Sequence, residues 1–173
     1  MSYRVFHILA QKGNVVLTVK ENDPALSIAN LLIRHNIGGA PVVDTNGALV
    51  GMISERTIVS ALSQHGPSIF SLTAKEIMLT EIPIASPDDS IFDIACRMTW
   101  SRSRHVPVEE EGKLVGLISI GDIVKLRAEN AEQEVQELQD YVTGSNHAAV
   151  NPRNTMIPSA CETPTERLSK HKN

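Results

Sequence analysis

Aromatic residues are nearly absent: Phe, Trp and Tyr make up 3% of the 173 residues. Val, Ile, Leu and Ala must therefore do the packing, and no aromatic platform is available for stacking nucleic-acid bases. Basic charge is also in short supply. The formal net charge of −4 weakens attraction to phosphate backbones and argues against nucleic acid as a partner. Cysteine is limited to Cys96 and Cys161, too far apart for a CxxC pair, so no disulfide framework follows. Cys96 falls among the apolar Ile94, Ala95 and Met98, where a buried free thiol is expected. No apolar run approaches the roughly 18 residues of a membrane span, and the opening Met1-Ser2-Tyr3-Arg4-Val5 lacks a secretory core. The expectation is a cytoplasmic protein with no membrane contact. Catalytic patterns are missing too. The histidines show no metal-ligand spacing, and there is no nucleophile–base constellation and no phosphate loop, so an enzyme is not expected.

What is present is an internal repeat. Gly39-Ala40-Pro41-Val42-Val43-Asp44 recurs as His105-Val106-Pro107-Val108-Glu109-Glu110 with the prolines aligned. Leu49-Val50-Gly51-Met52-Ile53-Ser54 then recurs as Leu114-Val115-Gly116-Leu117-Ile118-Ser119. The offset is about 66 residues at the first match and about 65 at the second, so one residue is lost in the turn between them.

Each copy reads as βαββα. In the first, Val15 to Val19 is a β-branched strand and Asn22-Asp23-Pro24 opens a helix that Asn36-Ile37-Gly38 ends. Ala40–Val43 and Leu49–Ile53 form a hairpin over Asn46-Gly47, and a helix from Glu55 is capped by Ser54. In the second, Ile82–Ala85 is the strand, Asp88-Asp89-Ser90 starts the helix, and the hairpin turns on Glu111-Gly112 before a helix near Gly121. Residues 66–73 link the halves, and Ala74–Met78 is a short lead-in helix. Neither copy covers its own sheet, so the two must share a core, and clefts form where they meet.

The pattern apolar-Pro-Val-Val-Asp, followed by Gly-apolar-Ile-Ser-x-x-Asp/Thr-Ile-Val, resembles the CBS domain, a repeat named after cystathionine β-synthase. A tandem pair is called a Bateman module. The resemblance covers roughly residues 11–130. It implies an α/β fold of two βαββα CBS repeats (11–66 and 76–131) packed with pseudo-twofold symmetry; beyond them the apolar spacing suggests a C-terminal helix extension (132–144), and the Asn, Pro, Thr, Ser and Lys content a disordered tail (145–173). It also implies a regulatory, sensing role with up to two sites for an adenine nucleotide such as AMP, ADP, ATP or NAD(H), or for S-adenosylmethionine. No cofactor is required; AMP, ATP or NADH is the expected regulatory ligand.

In the family an acidic residue three positions after the motif serine holds the ribose hydroxyls, which here falls on Asp122 of Ser119-Ile120-Gly121-Asp122. A carboxylate at a helix start has two oxygens suited to a cis-diol, each charge-assisted bond contributing about 1.5–3 kcal/mol. Ser119 and the free amides of that helix start, Gly121 among them, suit a phosphate; the plainer reading is that Ser119 and Asp122 cap the helix. The rest of this site is expected from Val15, Val16 and Leu17, from Gly38, Gly39, Ala40 and Pro41, whose glycines leave room for a flat adenine, and from Arg104 and His105. Arg102 is a weaker candidate.

The first copy departs from the pattern. It reads Ser54-Glu55-Arg56-Thr57, with a hydroxyl where the carboxylate is expected. A weaker second site around Thr57, Ser54, Arg56 and Ile84 is the expectation. The rival reading is an interaction or scaffold module with weak or no ligand binding.

Beyond Asp122, Val124, Ala128, Ala131, Val135, Leu138 and Val142 recur at spacings of four and three. That is a short heptad seam, suited to docking on the module or to pairing in a homodimer. Gly144 is a natural stop. An effector protein is expected, but no motif marks it.

Overall fold

The computed structural model describes residues 3–13 and 15–142. The chain divides into two compact units, Met1–Ile120 and Gly121–Asn173. The expected disordered tail and the Gly144 stop lie outside the described residues.

The first unit contains both repeats of the sheet. β1 (Val19–Lys20) pairs in parallel with β2 (Gly39–Val43), and β2 pairs antiparallel with β3 (Leu49–Ser54). β4 (His105–Glu110) and β5 (Lys113–Ser119) form the second hairpin. The duplication is faithful in register. Gly39 faces Ser54 as His105 faces Ser119, Pro41 faces Met52 as Pro107 faces Leu117, and both hairpins shift register one residue before the turn.

The leading strands are shorter than their sequence suggests. Residues 15–18 carry no regular structure, with Val15 92% exposed, and Ile82–Ala85 contributes one parallel bridge, Ala85 to Val108. Only residues seated against the buried hairpin strand gain from pairing, and these are Val19 (opposite Val42) and Ala85.

α2 (Ala25–His35) and α5 (Ile91–Trp100) are the equivalent helices of the two repeats, burying Ile28 and Leu32 in one and Ile94 and Met98 in the other. Cys96 is buried on α5. α3 (Glu55–His65) follows β3, and a 3-10 segment (Gly66–Ser71) leads to α4 (Ala74–Ile77). An unforeseen helix, α1 (Val5–Lys12), precedes the first repeat.

α1 and α4 are exchanged between the repeats. α4 comes before the second repeat yet packs on the first: the Ala74 amide donates to the Asp23 carbonyl at 2.8 Å, and Ala25 donates to Leu72 at 2.9 Å. α1 comes before the first repeat yet joins the second, with Val5 donating to Asp89 and Ile91 to Tyr3, both at 3.0 Å. Matching bridges, Pro24–Thr73 and Arg4–Ser90, mark the two crossings. This reciprocal exchange is the physical content of the pseudo-twofold symmetry.

It also explains the repeated glycine. A Cβ on Gly51 would lie 2.7 Å from the Leu79 carbonyl oxygen and 2.8 Å from Met78 Sδ, both on the segment that α4 brings across. A Cβ on Gly116 would lie 2.5 Å from Leu9 Cδ2, on α1. Each Val-Gly pair thus leaves the space that the other repeat's lead-in segment fills.

The second unit, as described, is the body of α6 (Ile120–Val142). Ile123 and Leu126 are buried, whereas Val124, Val135, Leu138 and Tyr141 are each more than half exposed. No helix among the described residues is long and apolar enough to cross a membrane.

Candidate functional site

A cleft of about 730 Å³ opens in the first unit at the junction of the repeats, a size suited to a nucleotide-scale ligand. One wall is the start of α3, with Ser54, Glu55, Arg56 and Thr57 below Gly38. The opposite wall is the loop Ser101–His105, which joins α5 to β4. The floor and rim come from Met52, from Ile77 to Leu79 and from Glu81 to Pro83. Arg56, Arg102 and Arg104 supply cationic groups and Met52, Ile77, Met78 and Ile82 an apolar surface. That combination suits a ligand with an anionic end and a flat apolar end.

The α3 wall is rigid because its polar groups satisfy each other. Ser54 Oγ accepts from the Thr57 amide at 3.2 Å, while Thr57 Oγ1 accepts from the Ser54 amide at 3.2 Å and lies 2.9 Å from Ser54 Oγ. This is a reciprocal capping box. Thr57 is buried at 7% exposure. Its hydroxyl therefore faces its own helix start rather than the open cleft.

The opposite loop repeats the backbone of residues 36–39 with different side chains. Asn36 and Arg102 both have φ 51, each closing its helix in the left-handed region. The Ile37 amide donates to Leu32, and the Ser103 amide to Met98, both at 3.0 Å. Glu55 donates to the Gly38 carbonyl as Ile120 does to that of Arg104. Asn adopts this conformation readily and Arg does not. Arg56 Nη1 donates to the Arg102 carbonyl at 3.4 Å, tying the two walls together.

Gly38 and Gly39 have a use the sequence did not disclose. A Cβ on Gly38 would lie 3.2 Å from His105 Cε1, and one on Gly39 3.2 Å from His105 Nδ1. The room expected for an adenine is where the imidazole of His105 sits. His105 thus plugs the junction beside the cleft.

The sequence-selected residues divide accordingly. Gly38, Ser54, Arg56, Thr57, Arg104 and His105 come together on this cleft. Gly39, Ala40 and Pro41 are buried in β2, with Ala40 at 0% exposure, and do not line it. Ile84 is exposed and lies outside the lining, where Ile82 and Pro83 stand instead. Val15 and Leu17 are exposed and Val16 half-buried on the irregular segment before β1. Ser119 ends β5, half-buried, and Gly121 and Asp122 lie in the first turn of α6, Asp122 half-buried. Sequence reasoning missed Glu81-Ile82-Pro83. These are the repeat partners of Val15-Val16-Leu17, about 66 residues on, so the repeat arithmetic itself was the available signal.

Two carboxylates are tuned, Glu76 on the lining of the cleft and Asp44 away from it. Backbone bonds, first from Ala48, hold Asp44 below its ordinary pKa of 3.8. The Thr73 amide and then its hydroxyl do the same for Glu76 relative to 4.5. No group of acidic, His and Cys side chains among the described residues is arranged to hold a metal ion.

Two α/β repeats that complete one another and leave a ligand-sized cleft at their junction define a duplicated binding module. The chain belongs to the CBS-domain family: the family description "CBS domain" matches residues 13–64 and 74–129. It is 31% identical over 111 residues to MJ1225 of Methanocaldococcus jannaschii, which is 64% of this chain but 39% of that protein's length. The CBS-domain containing protein ATU1752 from Agrobacterium tumefaciens matches with a TM-score of 0.70 at 35% identity, covering 73% of this chain and 95% of that one. The CBS domain pair of protein MJ0100, solved in complex with 5′-methylthioadenosine and S-adenosyl-L-methionine, matches with a TM-score of 0.64 at 31% identity, covering 72% and 98%.

Proposed function

We propose that this chain is a regulatory module rather than an enzyme, that it takes an adenine nucleotide such as AMP, ATP or NADH, and that it reports occupancy to an effector protein. The observation that carries this reading is the cleft of about 730 Å³, with Arg56, Arg102 and Arg104 at its polar walls and methionine and isoleucine side chains between. The adenosine-containing ligands of the MJ0100 pair support the base and ribose part of the assignment. The arginines favour an anionic phosphate over a cationic sulfonium.

Asymmetry between the copies belongs to the proposal. Asp122 does not line this cleft, where Thr57 holds the equivalent position, and it is assigned the ribose hydroxyls of the other copy's site on the pattern Ser119-Ile120-Gly121-Asp122. Thr57 already bonds to Ser54 within its own helix start and offers no second oxygen, so its copy binds less tightly.

Thermal melting against AMP, ADP, ATP, NADH, 5′-methylthioadenosine and S-adenosylmethionine tests this. At a ligand concentration of about a hundred times Kd, the stabilisation is roughly 2.7 kcal/mol. Asp122→Ala is expected to remove the shift and Thr57→Ala to leave most of it. Equal losses would sink the asymmetry. A flat response to all six ligands would favour the scaffold reading, to which the self-satisfied Thr57 already lends weight.

A further inference from the structure

We infer that the Thr57 cleft is blind to the sugar of its ligand and selects by phosphate charge, taking ribo- and deoxyribonucleotides of adenine alike. The inference rests on the nucleotide reading above and concerns what this one cleft can distinguish. A site rejects an analogue lacking a hydroxyl when the loss strands a polar partner held ready for it. The hydroxyls on these walls are already engaged. Ser54 Oγ and Thr57 Oγ1 lie 2.9 Å apart, and each accepts from the other residue's amide at 3.2 Å. Ser101 Oγ donates to the Arg97 carbonyl and Ser103 Oγ to that of His105, both at 2.7 Å. Ser60 Oγ accepts from Gln64 Nε2 at 3.4 Å on its own helix. Removing a ligand hydroxyl would therefore orphan none of them.

The carboxylates do not replace them. Glu76 Oε2 accepts from the Thr73 amide and hydroxyl, both at 2.8 Å. Glu55 turns Oε2 to Gly38, 3.8 Å from where a Cβ would stand, beside the space that the His105 ring fills. The cationic side chains are the opposite case. Arg102 and Arg104 line the cleft, are exposed, and make no side-chain hydrogen bond among the described residues. Arg56 engages Nη1 alone, on the Arg102 carbonyl at 3.4 Å. Three guanidiniums with open donors respond to the number of phosphate oxygens, not to the sugar.

The test is calorimetric titration of the full-length chain carrying Asp122→Ala, which disables the other copy's site, with AMP, ATP, 2′-deoxy-ATP and 2′,3′-dideoxy-ATP. The three triphosphates are expected to bind within about twofold of one another. AMP should bind roughly tenfold more weakly than ATP, and added salt should narrow that gap. Arg102→Gln in the same background should weaken ATP more than AMP. Thr57→Asp should create a preference for ATP over its dideoxy analogue of about tenfold or more. Such a preference without Thr57→Asp would overturn the inference, as would its absence with it. So would AMP binding as tightly as ATP, or ATP binding indifferent to Arg102→Gln. Binding by the unsubstituted chain that Asp122→Ala abolishes would also overturn it while leaving the nucleotide reading intact. Silence from both chains would overturn that reading itself.

Discussion

The loops leading into β2 and β4 follow the same path and do opposite things. Asn36-Ile37-Gly38-Gly39 and Arg102-Ser103-Arg104-His105 share a left-handed residue, matching backbone bonds and one register with the strand beyond. The first loop is stripped of side chains where the two meet, and the second supplies the imidazole that fills the vacated space and the arginines that line the cleft beside it. Duplication set the backbone, and divergence at four positions turned a symmetric junction into a wall and a plug. Function in such a fold is read from where the copies differ, whereas the packing is read from where they agree.

The largest expected effect comes from breaking what the copies share. Gly51→Ala should cost about 2–3 kcal/mol because its Cβ meets a backbone carbonyl, and Gly116→Ala about 1 kcal/mol because only the flexible end of Leu9 must move. Urea denaturation of both variants ranks them, and equal costs would mean that α1 and α4 do not cover their sheets as described. The difference between the loops is probed by Gly38→Ala. It should cost about 1 kcal/mol in wild type and nearly nothing in a His105→Ala background, because the new methyl group mainly meets the imidazole. A double-mutant cycle with no coupling would remove His105 from its place between the glycines.

A smaller and opposite effect is expected at Arg102. Giving it the residue of its repeat partner, as Arg102→Asn, should stabilise the fold by about 0.5 kcal/mol by easing a left-handed backbone. On the proposed function the same change weakens nucleotide binding. Loss of stability in denaturant titrations would show that the guanidinium, not the backbone, sets the preference there.

The smallest effect is acid sensitivity. Asp44 and Glu76 titrate below their ordinary 3.8 and 4.5, so each contributes stability above those values that is lost as pH falls through the lowered ones. Both serve the first repeat: Asp44 accepts from Ala48 in its hairpin turn, and Glu76 lies on α4. Hydrogen exchange between about pH 5 and 3 should therefore loosen β2–β3 before β4–β5. Asp44→Asn, which can still accept those amide bonds, should flatten part of that response.

Much of the fold was legible because the repeat is carried by residues that make contacts in every copy. The aligned prolines, the Val-Gly-hydrophobic-Ile-Ser runs and the turn residues fixed both hairpins and the helices around them. The leading strands were overcalled at Val15 to Leu17, since β-branched composition does not say where a pairing partner ends. α1 was missed because Val5-Phe6-His7-Ile8-Leu9 shares only one residue in register with Ala74–Met78, Ile8 matching Ile77. Beyond that shared buried isoleucine the two helices are alike in the backbone bonds they make to distant residues, and such bonds leave no mark on sequence. In the cleft, Arg56 and Thr57 were expected together, whereas Arg104 and His105, expected beside Asp122, line the Thr57 cleft instead. That Gly38 and Gly39 accommodate an imidazole depends on contacts with His105, far along the chain, and became visible only in three dimensions.

The exchange of α1 and α4 also sets the order in which the chain can finish folding. Val5 leaves the ribosome early, but its amide waits for the carbonyl of Asp89, and Leu9 waits for the strand at Gly116. The first repeat meets its own cover, α4, as soon as synthesis passes Leu79, so it can close while the rest is still being made. The N-terminal helix must stay undocked through most of translation and is the last part of the first unit to settle. A fusion or deletion at that end would therefore disturb the second repeat, not the first.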